Sequence, residues 1–312
     1  MNPDPTSTVH GSSASAAAPT AGATDVAVRA GAADRVPVTV VVPVRNEEGT
    51  LAACLSRLAA FAEVVVVDSR STDRTVEIAR SLGATVVDFA WNGRFPKKRN
   101  WLLSTFRFTT PWVLFLDADE HMTEAFVATL RRVLATTRHD GFWISYDNYF
   151  QGRRLRHGVP QRKLALFKAA AGRYERIDEV RWSHLDMEVH EHPIIGGSVG
   201  DIADALEHKD DRGLEHFIGR HNAYSSWEAQ RSVTLGGEGS SDLTPRQRLK
   251  YQSIEKWWFS PAYFIMTYVF RRGFLDGRAG FVYAVMKAIY FFEVREKIRE
   301  ARARAEERGD NA

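Results

Sequence analysis

The 312-residue chain is poor in several features that would settle its class at once. It has one cysteine, Cys54, so neither a disulfide framework nor a cysteine metal knuckle can form, and a reducing, cytosolic compartment fits. Cys54 falls in a predicted helix and reads as a small buried apolar residue. No apolar run reaches the ~20 residues of an ordinary transmembrane helix. The start of the chain has no basic segment followed by an apolar one, and His10 to Ala23 contains no Leu, Ile or Phe, which argues against secretion. The net charge is only +3 and no nucleic-acid motif is present, so no nucleic-acid partner is expected. Gly-x-Gly-x-x-Gly is missing from the first loop, and a Gly-x-x-x-x-Gly-Lys-Ser/Thr loop is missing throughout, which disfavours the usual dinucleotide and P-loop folds. A His-x-x-x-His pair with an intervening Glu is also absent, which disfavours a zinc hydrolase.

What is present, 44% hydrophobic and 26% charged residues, suits one large or two modest domains with an ample core. Residues 1–35 are rich in Ala, Ser, Thr, Gly and Pro without an apolar period and read as a disordered leader. Val36-Pro37-Val38-Thr39-Val40-Val41-Val42-Pro43 is a β-branched run, predicted to be a central parallel strand. A helix marked by Leu51, Leu55 and Leu58 follows. The grammar repeats as a strand from Val64 to Val67, a loop from Asp68 to Asp73, and a helix with Val76, Ala79 and Leu82 closed by Gly83. A third strand runs from Thr85 to Phe89. This alternation predicts an α/β fold with a parallel, doubly wound sheet.

The stretch Pro111-Trp112-Val113-Leu114-Phe115-Leu116-Asp117-Ala118-Asp119-Glu120 runs five apolar residues into two carboxylates. It reads as a buried strand delivering Asp117 and Asp119 to the carboxyl edge of the sheet, where open α/β folds place ligands. Carboxylates spaced i, i+2 can share Mg²⁺ or Mn²⁺, and such a cation suits a diphosphate. Upstream, Lys97-Lys98-Arg99-Asn100 opens a predicted helix, where amides and cations both favour anions. Taken alone, a solvated strand end and a solvated basic helix start read these residues about as well.

Four motifs in order, Val40-Val41-Val42-Pro43-Val44-Arg45-Asn46-Glu47-Glu48, Val65-Val66-Val67-Asp68-Ser69-Arg70-Ser71-Thr72-Asp73, Arg99-Asn100 and Phe115-Leu116-Asp117-Ala118-Asp119-Glu120, resemble the family 2 glycosyltransferases. These are inverting enzymes of GT-A fold that use nucleotide-diphospho-sugars. Within the family the chain is most similar to the lipopolysaccharide core β-1,4-glucosyltransferase type, through Arg162-Lys163-Leu164-Ala165-Leu166-Phe167, Glu188-Val189-His190-Glu191, Leu206-Glu207-His208 and Arg272-Gly273-Phe274-Leu275-Asp276-Gly277 with Gly280-Phe281. It departs from that type in reading Asp186-Met187-Glu188-Val189-His190-Glu191, where a small residue or Gly is expected ahead of Val-His-Glu.

The resemblance implies a GT-A catalytic domain over residues 36–210, a mostly parallel sheet with helices on both faces, and an α-helical extension over 211–312. It implies that Pro43, Arg45, Glu47 and Asp68 line the nucleotide pocket, with Asp68 meeting the nucleobase or ribose, and that Lys97 and Asn100 belong to the same donor site. Asp119 would ligate Mg²⁺ or Mn²⁺, Asp117 would be shared between sugar or ribose hydroxyls and the cation, and His208 would be a third ligand. Inversion needs a base opposite the leaving diphosphate. Glu191 is the first candidate, with Glu188 or Asp186 next; His190 and His192 read as structural. The implied donor is a UDP-hexose, and the implied acceptor a saccharide of a lipid-linked glycan. A nucleotidyltransferase, a polyprenyl-phosphate sugar transferase and a non-catalytic membrane-associated scaffold are the rivals.

Beyond Asp211 the pattern turns helical. Gly213 to Arg231 is a predicted helix, Thr234 to Thr244 a Gly and Ser loop, and Pro245 the start of another helix. Two apolar blocks, Trp257 to Phe270 and Phe281 to Phe292, are rich in aromatics and flanked by Lys256, Arg271, Arg272, Lys287 and Arg295. They read equally as helices lying in a membrane interface on the cytoplasmic face and as helices packing on the catalytic domain. Glu293 to Glu307 alternates charges at helical spacing and reads as a solvated helix.

The aromatic run Phe142 to Phe150 is a predicted strand whose rings belong to the core.

Overall fold

The computed structural model describes residues 35–177, 186, 192–210, 212–238 and 243–307. Four parallel strands form one half of the main sheet: β1 (Val36–Val44), β2 (Phe61–Asp68), β3 (Thr85–Asp88) and β4 (Trp112–Phe115), in the order β3-β2-β1-β4. Between them run the helices α1 (Leu51–Leu55), α2 (Thr75–Ser81) and α3 (Lys98–Thr105).

The β-branched runs are buried on both faces, and their period of two sorts the side chains. Val38, Val40, Val42, Leu114 and Leu116 enter one core with Leu51, Cys54 and Ala79 of α1 and α2. Val41, Val65, Val67, Val113 and Phe115 enter the opposite core with Leu102 and Leu103 of α3. Helices therefore cover both faces. Each fully buried Val, Leu or Phe contributes about 1.5–3 kcal/mol by leaving water, so these two cores dominate the stability of this half.

The second half departs from the parallel expectation. After β5 (Glu120–His121) and α4 (Glu124–Thr136) come β6 (Gly141–Phe150), β7 (Arg153–Leu155), β8 (Gln161–Lys168), β9 (Gly172–Tyr174), β10 (Pro193–Ile195) and β11 (Val199–Lys209). The order continues β4-β8-β6-β11-β5, with β7 on β6 and a separate β9-β10 pair. β8 is antiparallel to both β4 and β6, β11 is parallel to β6, and β5 is antiparallel to β11. The sheet is mixed because β6, β7 and β8 follow one another through tight connections with no crossover helix, and short connections force antiparallel pairing. In β6 the expected core rings Phe142, Tyr146 and Phe150 are buried, while Trp143 faces outward.

The carboxyl-terminal helices are α5 (Gly213–Glu238), α6 (Pro245–Ser253), α7 (Phe259–Ile265) and α8 (Gly277–Glu307). Between α7 and α8 lie a π-turn, Met266–Phe270, and a 3-10 turn, Gly273–Asp276. Pro245 does start a helix, with Thr244 as N-cap and Gln247 closing a capping box. Two expectations fail here. α5 runs through Gly236 and Gly237 to Glu238, because packing against α8 outweighs the ~1 kcal/mol each Gly costs in a helix. Residues 293–307 are the end of α8 and are not solvated all round: Val294 and Ile298 are buried with Ala229, Ile254 and Tyr290 in a third core. No described helix is long and apolar enough to cross a membrane.

Candidate active site at the carboxyl edge of the sheet

The loops after β1 and β2 are zipped together at the sheet edge. Asn46 adopts a left-handed backbone (φ 57°), its amide donates to Ser71 Oγ at 2.8 Å, and its Oδ1 accepts from the Thr72 amide at 2.8 Å. The Glu47 amide donates to Thr75 Oγ1 at 2.8 Å and the Glu48 amide to Asp73 Oδ2 at 3.1 Å. Small hydroxyl and carboxylate side chains are what such a seam needs, since each can satisfy a neighbouring loop amide. Asp68 is buried at the end of β2 and accepts from the amide of Ser71 at 3.0 Å and from its hydroxyl. Pro43 is buried in β1 and Arg45 is exposed on the loop.

The strand carrying Asp117 and Asp119 ends in a tight turn. The Glu120 amide donates to the Asp117 carbonyl at 2.9 Å, and Glu120 Oε2 accepts from the Asp117 amide at 3.1 Å. Asp117 takes Arg99 Nη2 at 3.0 Å on one oxygen and Lys163 Nζ at 2.6 Å on the other. Lys163 also pairs with the buried Glu120. Burial would raise the Asp117 carboxyl, but the charges of Lys163 and Arg99 outweigh it and hold it down at about 2. Lys163 reaches Asp117 through the β4–β8 register: Leu114 faces Leu166, and three residues further along each antiparallel strand stand Asp117 and Lys163.

Asp119 is buried and meets three side chains from β11 and α5 or their approach. Its Oδ1 lies 3.5 Å from His208 Nε2, and its Oδ2 accepts from Arg212 Nη2 at 2.9 Å and Arg220 Nη1 at 3.3 Å. Arg212 also grips both Glu47 oxygens at 2.9 Å and Asp210 Oδ1 at 2.7 Å. Burial opposes ionisation of Asp119, yet the hydrogen bond and charge of His208, with Arg220, hold its carboxyl far below the ordinary carboxylate range. The β5–β11 pairing brings His208 here: His208 faces Glu120, and the Lys209 amide donates to the Asp119 carbonyl at 2.8 Å. On the other side β6 sets Asn148 beside His208, and the ring Nδ1 donates to Asn148 Oδ1 at 3.0 Å.

This leaves Nε2 facing a carboxylate oxygen, an arrangement that calls for a proton or a cation between them. The donor set thus fits Mg²⁺ or Mn²⁺, with imidazole favouring manganese. Among the described residues no three His, Cys, Asp or Glu groups form a self-sufficient metal cage.

At the start of α3, Lys97 and Lys98 are buried. Lys98 donates to the Val44 carbonyl at 3.1 Å and lies 3.5 Å from Asp186 Oδ2; burial lowers its pKa and Asp186 opposes that. Asn100 spends both ends of its amide on the backbone of Tyr174, at 3.0 Å each, and so fixes the strand that follows β8. Of the residues predicted for the site, Glu47, Asp119 and His208 share one network through Arg212, and Asp117 belongs to a neighbouring one with Arg99, Lys163 and Glu120. Glu191, with Glu188 and His190, lies outside the described residues. Sequence reasoning missed Arg212 and Arg220, gave Lys163 no role and read Arg99 only as part of a basic helix start that favours anions; Arg99 and Lys163 stand inside quoted motifs, whereas nothing local marks Arg212 or Arg220.

Residues 39–190 match the family described as Glycosyl transferase family 2. Over 282 residues the chain is 27% identical to the lipopolysaccharide core biosynthesis glycosyltransferase LpsC of Rhizobium meliloti (strain 1021), covering 86% of this chain and 94% of that protein. It is 27% identical over 271 residues to an uncharacterized glycosyltransferase of Rickettsia typhi, covering 84% and 87%. Among solved structures it is similar to S. aureus TarS 1–349 over 85% of this chain and 91% of that one, at 16% identity and a TM-score of 0.40.

Proposed function

The chain is a family 2 glycosyltransferase, and we propose that it moves a hexose, glucose, from a UDP donor with inversion onto a saccharide of a lipid-linked glycan of the lipopolysaccharide core class. The observation that carries the proposal is the convergence on Asp119 of His208, Arg212 and Arg220, beside Asp117 with Arg99 and Lys163. Two carboxylates ringed by five basic side chains can hold both a divalent cation and a diphosphate. The name of the Rhizobium relative, which the chain matches over nearly its whole length, supports the acceptor class. Work on such an acceptor belongs at the cytoplasmic face of a membrane.

In this reading Asp119 and His208 hold the cation, Mg²⁺ or Mn²⁺, which when bound neutralises charge on the leaving diphosphate. Asp117 orients hydroxyls of the sugar or ribose. Arg212 and Arg220 stand within reach of a diphosphate seated at Asp119 and add donors to its oxygens. Asp68, with Pro43, Arg45 and Glu47, lines the nucleoside side, and Lys97 and Asn100 support the same donor site. Glu191 takes the proton of the acceptor hydroxyl as its oxygen attacks the anomeric carbon. The test is UDP release from UDP-glucose and from other nucleotide sugars, with and without a lipopolysaccharide core acceptor and Mn²⁺. Release from UDP-glucose that needs both acceptor and metal is expected; no release from any nucleotide sugar by folded protein overturns the proposal.

A further inference from the structure

The two apolar blocks of the carboxyl-terminal third divide their side chains between two faces. Inward, Tyr263 meets Phe291 at 4.5 Å between ring centroids, and Phe291 meets the buried Tyr290 at 5.1 Å. Outward, Ile265, Met266, Val269 and Phe270 of α7 and the π-turn, with Phe274 and Leu275 of the 3-10 turn, are all exposed, Phe270 by 72%. Trp257, one turn before α7, is 74% exposed. Residues 265 and 269, and 266 and 270, are helical i, i+4 pairs, so these side chains form one surface and not a scatter of single exposures.

The surface is held rigidly. Asp276 accepts from the amides of Arg156 and His157 at 3.1 and 2.9 Å, and the Gly158 amide donates to the Arg271 carbonyl at 2.9 Å, which pins the turn to the β7–β8 connection. A Cβ on Gly273 would strike the Thr267 carbonyl, and one on Gly280 would strike the Gly273 carbonyl, so both turns need glycine for their close approach. Phe274 and Leu275 are therefore presented outward by a built turn.

Charge selects the partner. From Lys256 to Phe292 the only carboxylate is Asp276, and its side chain is 5% exposed and occupied by the β7–β8 connection. Lys256, Arg271, Arg272 and Arg278 are exposed around the apolar side chains. Exposed Trp, Phe and aliphatic groups rimmed by cations alone suit the headgroup region of an anionic bilayer, with rings at the interface and cations on the phosphates. We propose that this corner, from Trp257 through Leu275, is a docking surface for an anionic phospholipid membrane. The proposal rests on the surface and not on the donor or acceptor assigned above, and its readout needs no sugar transfer.

The test is flotation of the full chain with vesicles of phosphatidylcholine alone or mixed with phosphatidylglycerol, with sizing of the protein without lipid. Binding to the mixed vesicles that weakens with added salt is expected. Phe270→Ser with Leu275→Ser should lower partition by about tenfold for each side chain. Arg271→Glu with Arg278→Glu should lower it by at least about fivefold for each cation on the mixed vesicles only. Melting points near that of the parent confirm folding of each variant. Failure of the folded parent to bind the mixed vesicles, or binding unchanged by both double variants, overturns the proposal. So does a lipid-free dimer that Phe270→Ser with Leu275→Ser splits into monomers, since a second copy would then be the occupant.

Discussion

His208 Nε2 faces Asp119 Oδ1 across 3.5 Å, while the other ring nitrogen is held by Asn148 at 3.0 Å. Asn148 thereby fixes the ring so that Nε2 points at the carboxylate. His208→Ala should remove a cation ligand, and Asn148→Ala should weaken Mn²⁺ binding by about 10–100-fold by releasing the ring. Titration of nucleotide binding against Mn²⁺ checks both. An unchanged Mn²⁺ dependence in His208→Ala removes that residue from the cation site.

Lys163 neutralises Asp117 and the buried Glu120 together. Lys163→Met should strand Glu120, whose pKa burial already raises. Breaking a fully buried pair costs about 3–5 kcal/mol; the partial exposure of Lys163 brings the expected loss to about 2–3 kcal/mol. Urea unfolding of the two proteins measures it, and a loss under about 0.5 kcal/mol, the scale of exposed pairs, contradicts the burial argument.

Asp276 fastens the carboxyl-terminal turn to the catalytic half, and its pKa is depressed. Burial opposes the depression, and hydrogen bonds from His157 and the Arg156 and His157 amides outweigh it. A carboxylate depressed in the folded state contributes stability above its unfolded pKa, ~3.9, and loses it as pH falls through the folded value. Asp276→Asn should therefore melt below the parent at neutral pH, with the gap closing under about pH 4. A gap that widens in acid reverses the sign and refutes the assignment.

Glu191→Gln should retain donor affinity and lose transfer by at least about 100-fold, the range of a positioned general base. Full transfer by the variant moves the base to Glu188 or Asp186.

Much of this architecture is legible in the chain. The β-branched runs from Val38 to Val42 and from Val64 to Val67 are strands because burial on both faces leaves an unbroken apolar signature, and Asp117 and Asp119 follow because their strand is the same kind of run. Lys163, Arg212 and Arg220 are different. Lys163 reaches Asp117 through the β4–β8 register, whereas Arg212 follows β11 and Arg220 sits on α5, and contacts between elements this far apart in sequence leave no local pattern. The helix through Gly236 and Gly237 was hidden for a related reason: local propensity argues for a loop there, and the packing partner that overrides it lies in α8.

The central claim, that Asp119 and its neighbours hold a cation with a nucleoside diphosphate, is tested most directly by thermal stabilisation. UDP, GDP, CDP and TDP are each added with and without Mn²⁺ to the parent and to Asp119→Asn. A ligand at a hundred times its dissociation constant adds about 2.7 kcal/mol to the folded state, a visible rise in Tm. UDP with Mn²⁺ should stabilise the parent selectively and leave Asp119→Asn unmoved. Stabilisation of Asp119→Asn equal to that of the parent, or no response of folded parent to any nucleotide, contradicts the account.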